Sequence, residues 1–185
     1  SGDPMEISIS GDIDENEVIN LSSLYFGTLP ARKPFEKIPS AKISFPAGKK
    51  LELSVNSQEK NAYIQIVWPV PDVKGIKDLK TIRRLNILAT ILENRLIKTV
   101  REKLGETYSP QAAFDIEMGY EGTAAIHAFI NAESSKTDEI LKTVMGISEK
   151  IFRSSGSEIT DQEFDQAVRP FITALKEKLK KNIYW

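Results

Sequence analysis

The sequence predicts an α+β fold in which helices pack on one face of a mainly antiparallel sheet. Three observations predict it. Segments with period-two apolar alternation lie on both sides of a long helical stretch at residues 78–103. Two further amphipathic stretches close the chain. Nowhere does the regular strand–helix alternation of a doubly wound sheet appear.

Met5, Ile7 and Ile9 alternate with Glu6, Ser8 and Ser10, the pattern of a strand with one buried face. A helix is expected next: Asp14 and Glu17 have capping-box spacing, Val18, Leu21, Leu24 and Tyr25 form a stripe, and Gly27 ends it. Pro30, Pro34, Pro39 and Pro46 then rule out continuous helix, so a proline-rich linker is assigned to residues 31–49. Leu51, Leu53 and Val55 alternate with polar residues, and Ala62–Trp68 is a more apolar strand ended by Pro69 and Pro71. The polar run Asn56–Asn61 suggests that these two strands pair across a turn.

In the long helix Leu79, Ile82, Leu85, Leu88, Leu92, Leu96 and Val100 recur at steps of three and four without Gly or Pro, so one face must be buried. Phe114, Ile116 and Met118 alternate with Asp115 and Glu117, a turn follows at residues 119–122, and Ile126, Ala128 and Ile130 share a face of the next strand, which makes a hairpin. Ile140, Leu141, Val144, Ile147 and Ile151 mark a second helix. A third starts at the Thr160–Glu163 capping box and is expected to bury Phe164, Val168, Phe171, Leu175 and Leu179, with Pro170 kinking or interrupting it. Lys176, Lys178, Lys180 and Lys181 around Leu179 read as a solvated face.

Composition narrows the chemistry. A net charge of −1 over 185 residues and 41% hydrophobic content point to neither a nucleic-acid binder nor a disordered tail. With no cysteine, disulfides, thiolate zinc sites and cysteine nucleophiles are excluded. No stretch reaches the roughly 18 apolar residues of a membrane span. The sole histidine, His127, sits in an alternating strand and reads as a structural side chain, since a catalytic zinc needs about three protein ligands. On spacing alone, Arg101 is a charge complementing the C-terminal end of a helix dipole, and Tyr108 an aromatic anchoring the turn after Gly105.

The wording of that segment adds a second reading. Arg101-Glu102-Lys103-Leu104-Gly105-Glu106-Thr107-Tyr108-Ser109 resembles the signature of the C-terminal lobe of the insulinase, pitrilysin and mitochondrial-processing-peptidase family of zinc peptidases, bacterial putative zinc proteases in particular. Residues 7–14, 24–30 and 159–167 resemble other segments of that family, in its order. The resemblance implies a processing-peptidase-like lobe at residues 50–185, cut short at its C-terminus, with residues 1–30 as the end of a preceding lobe. It also implies that the zinc sits elsewhere: the family's His-x-x-Glu-His motif is absent here, so no metal or cofactor is expected in this piece and the isolated chain is expected to be inactive.

In that family reading Tyr108 is a catalytic donor to the transition-state oxyanion and Arg101 joins it in binding substrate. The partners are a zinc-bearing N-terminal lobe, on the same or an associated chain, and an extended peptide. The alternative is a structural lobe of an inactive family member that serves assembly. Self-association through residues 1–30 is a further expectation, because a strand cut from its lobe lacks neighbours. The compartment is left open: periplasm or cytoplasm if the source is bacterial.

Overall fold

The computed structural model describes residues 3–34, 44–46, 48–56, 58, 60–73, 78–104, 109–117, 120, 122–153 and 158–181, without the side chains of Arg101, Lys103 and Leu104. Two compact units emerge, Ser40–Phe171 and, separately, Ser1–Pro39 with Ile172–Trp185.

The larger unit is built on a three-stranded antiparallel sheet of β1 (Asn61–Pro69), β2 (Gln111–Asp115) and β3 (Ala125–Glu133), in the spatial order β1-β3-β2. The expected hairpin forms between β2 and β3, with Phe114 opposite Ile126 and Ala112 opposite Ala128. Its turn uses Gly122 at a φ of 82°, a conformation that costs glycine little. Thr123 Oγ1 accepts from the Glu117 amide at 3.2 Å, tying the turn to the end of β2.

Period-two geometry sorts the side chains of the sheet. Ile126, Ala128, Ile130 and Ala132 of β3 are buried on one face, level with Trp68, Ile66, Ile64 and Ala62 of β1. That face receives the helices α2 (Leu79–Leu104) and α3 (Thr137–Arg153). From α2 come Ala89, Leu92, Leu96 and Val100, and from α3 Ile140, Val144 and Ile151, all buried in one cluster with Phe114. Trp68 meets Phe152 edge-on at 5.5 Å, so it is a core aromatic at the strand end.

Three expectations need correction. Leu51, Leu53 and Val55 do not pair with β1, whose neighbour is β3. Lys50 and Glu52 form an ion pair at 3.4 Å, and the segment's apolar residues stay 78–84% exposed. Met5–Ser10 is likewise in no strand, and Met5, Ile7 and Ile9 are exposed: alternation marks a face but supplies no neighbouring edge. Phe164 and Leu179 of α4 (Asp161–Leu179) are exposed, and its one fully buried side chain is the small Ala167. Pro170 lies within a helix that runs on past it, immediately before the division between the two units.

In the smaller unit, α1 (Glu15–Phe26) begins as its sequence foretells, with Asp14 Oδ1 accepting from the Glu17 amide at 3.0 Å. It ends at Gly27, where a Cβ would run into the carbonyl oxygen of Ser23. No residue of α1 is buried.

The α4 capping box forms reciprocally: the Thr160 amide donates to Glu163 Oε2 at 3.0 Å and the Glu163 amide to Thr160 Oγ1 at 3.3 Å. The same carboxylate takes Arg95 of α2 bidentately, at 2.7 and 3.0 Å, fastening the start of α4 to the long helix. Arg95, first by hydrogen bonding, holds the Glu163 carboxyl down at about 2 instead of 4.5, and Glu163 in turn raises the Arg95 guanidinium.

A depressed carboxyl pKa means that the folded state binds the proton less readily than the unfolded one. The stabilisation is therefore complete above pH 4.5 and lost as pH falls toward about 2. Glu163→Gln is expected to lower stability by about 1–2 kcal/mol near neutral pH, allowing for solvent screening of a partly exposed pair. Urea titrations should show the gap between variant and wild type closing through that acid window; a gap independent of pH would refute the ion-pair account.

Candidate functional site

The long helix fixes where the signature segment starts. Its apolar stripe is locked into the core through Val100, which is fully buried, and the next residue, Arg101, lies on the last turn. The Arg101 side chain and the whole of Tyr108 lie outside the described residues, so the expected neighbourhood of guanidinium and phenol has no distances here. What is described is the frame around them. The chain re-enters at Ser109 and the buried Pro110 and at once becomes β2, which has β3 on one side and, among the described residues, no strand on the other. An edge strand turns every second N–H and C=O away from its neighbour. At this edge the Ala112 amide donates to Oε1 of Glu93, a half-buried residue of α2, at 3.4 Å.

The sheet face away from the helices is of mixed character. Tyr63 and Phe129 stack with centroids 5.6 Å apart, both solvent-exposed. His127 is on that face, opposite Val67 and Ala113, with Nε2 4.0 Å from Asp115 Oδ2. Its Nδ1 and the Asn131 Oδ1 are buried and have no hydrogen-bond partner among the described residues. Phe45, Asp115, Ile116, Glu117, Thr123 and His127 line a shallow depression of about 390 Å³.

Among the described residues no group of three or more His, Cys, Asp or Glu is placed to hold a metal ion, so these residues do not fit a zinc site. No described helix is long and apolar enough to cross a membrane. Two contacts of this region escaped the sequence reading, Glu93 with Ala112 and Arg95 with Glu163. The capping box was a visible signal for Glu163; for Glu93, a half-buried polar residue between the buried Leu92 and the exposed Asn94, the sequence offered none.

An antiparallel sheet with helices on one face, and an edge strand following the long helix, define an α+β lobe. Residues 1–171 match the family described as the Peptidase M16 inactive domain, and the chain belongs to that family. Among its relatives are the chloroplastic stromal processing peptidases of Oryza sativa subsp. indica, 24% identical over 229 residues, and of Pisum sativum, 23% identical over 228. Each match takes in 100% of this chain and 18% of the relative, so the chain spans under a fifth of their length. The crystal structure of the periplasmic protease PqqL from Escherichia coli superposes with a TM-score of 0.62 at 16% identity, over 92% of this chain and 18% of PqqL. At that identity the likeness establishes the fold.

Proposed function

We propose that this chain is the substrate-holding, transition-state-assisting C-terminal lobe of a zinc metalloendopeptidase, working opposite a zinc-bearing lobe on the same or an associated chain. The observation that carries the reading is the frame just described: Arg101 stands on the last turn of α2, which runs to Leu104, and the edge strand β2 opens at Gln111, shortly after Tyr108 in sequence. An extended peptide added along that edge would bond through its backbone, which gives affinity with little sequence preference. Its scissile carbonyl would then lie near the start of β2. Peptide hydrolysis builds negative charge on the carbonyl oxygen; the Tyr108 hydroxyl donates to it, and the Arg101 guanidinium holds a neighbouring substrate carbonyl.

Residues 1–30 are assigned to the preceding lobe. Among their apolar side chains Ile19, Leu24 and Tyr25 are 54–67% exposed, as expected of a surface whose neighbour is another lobe. A second copy of the chain is the competing occupant, and sedimentation at rising concentration separates the two.

The test is turnover by the full-length polypeptide carrying Tyr108→Phe, with zinc content confirmed. Unchanged turnover would overturn the catalytic part of the reading and leave a structural lobe, which the description of the family as inactive also accommodates.

A further inference from the structure

We infer that Glu93 guards the edge of β2 that has no strand beside it among the described residues, holding the Ala112 amide until the backbone carbonyl of an extended peptide replaces its carboxylate. The inference rests on the reading of β2 as the peptide-receiving edge, and adds to it a residue that sets how readily the edge opens.

Three features lead there. The first is position. Glu93 follows the fully buried Leu92 on the helix that packs over β2 and β3, so its side chain starts from a fixed point beside the edge. The second is the bond itself, in which a helix side chain takes a backbone donor of the outermost strand, at 3.4 Å. That donor belongs to the main chain of a strand, so the natural competitor for it is a carbonyl of another strand and not a small ion. The third is the chemistry of exchange. At 3.4 Å the bond is near the long limit of a hydrogen bond, so it is readily surrendered. A displaced carboxylate returns to water and recovers its hydration, whereas an unpartnered amide would have to be desolvated by whatever docked on it. The guard thus keeps the edge satisfied in the free state and discriminates against partners that lack a matching row of carbonyls.

The expected behaviour separates acceptor from charge. Glu93→Ala frees the amide, while Glu93→Gln keeps an oxygen in place. The assay is fluorescence anisotropy of the full chain with a labelled, uncharged peptide of alternating Thr and Val, together with amide hydrogen exchange at Ala112. Glu93→Ala should bind the peptide roughly fivefold more tightly than wild type, in line with removing one modest competing hydrogen bond, and Glu93→Gln should stay near wild type. The Ala112 amide should exchange faster in free Glu93→Ala and become protected when peptide is added.

Equal or weaker binding by Glu93→Ala, with Ala112 still protected by peptide, overturns the guard and leaves the edge reading standing. Binding that leaves Ala112 unprotected, or no binding by any of the three proteins, overturns the edge reading and the guard with it. Protection of Ala112 in Glu93→Ala without peptide, accompanied by dimerisation, assigns the edge to a second copy and also overturns the inference. Alanine is a good helix former, and a thermal melt of both variants confirms that the lobe remains folded.

Discussion

Tyr108→Phe in the full-length polypeptide is expected to lower kcat by roughly 10²–10³-fold, the loss of about 2.7–4 kcal/mol that follows removal of one donor to a developing oxyanion. The substitution deletes a single oxygen and keeps the ring, so the anchoring of the turn should survive and the thermal midpoint should change little. KM should also change little, because a donor aimed at charge that exists only in the transition state contributes little to ground-state binding. Arg101 makes the contrast. A guanidinium that holds an uncharged substrate carbonyl acts in both states, so Arg101→Ala should appear mainly in KM. The two variants together distinguish assistance from architecture: with a purely structural Tyr108, whose ring the substitution keeps, the Phe variant would turn over as fast as wild type.

How much of this was legible before the fold was known depends on the range of the interaction that decides each feature. The helix α2 was readable almost to the residue, since its period is repeated through seven turns and nothing breaks it. The two capping boxes were readable because both partners sit three residues apart. Strand pairing was not. The segments at Leu51–Val55 and Ala62–Trp68 each carry the correct alternation, yet alternation says which side of a strand is apolar and is silent on which strand lies beside it. The winning neighbour, β3, offers Ile126, Ala128 and Ile130 level with Trp68, Ile66 and Ile64, a buried row on a face already covered by helices. Leu51–Val55 has no comparable cover among the described residues of the larger unit and remains exposed.

The stripe of α4 failed for a related reason. Phe164 and Leu179 satisfy the helical period, but a period fixes a stripe only if something packs along its whole length. Burial is complete only at Ala167, and the anchoring at the start of the helix is polar, through Arg95 and Glu163. A guanidinium and a carboxylate so far apart in sequence give no local sign of their partnership. The same holds for Glu93, whose meaning comes from a strand edge that exists only once β2 and β3 have paired. For the site, the family signature named Arg101 and Tyr108, and the fold supplied the edge on which they are proposed to act.

The largest loss of stability is expected from Leu96→Ala. Leu96 is fully buried, midway along the face by which α2 meets the sheet and α3, in a cluster that includes Leu92, Val100, Ile126 and Ile140. Truncation removes its transfer free energy and leaves a void that neighbours drawn from several elements cannot all close, so a cost of about 2–5 kcal/mol is expected. In urea this should appear as a lower midpoint with an unchanged m-value, the mark of a weakened native state. Leu53→Ala deletes the same atoms at a residue that is 78% exposed and should stay within about 0.5 kcal/mol of wild type. The comparison tests the placement of the core directly. If Leu53→Ala proved as costly as Leu96→Ala, residues 51–55 would be packed in solution, and the three-stranded sheet described here would be short of a strand.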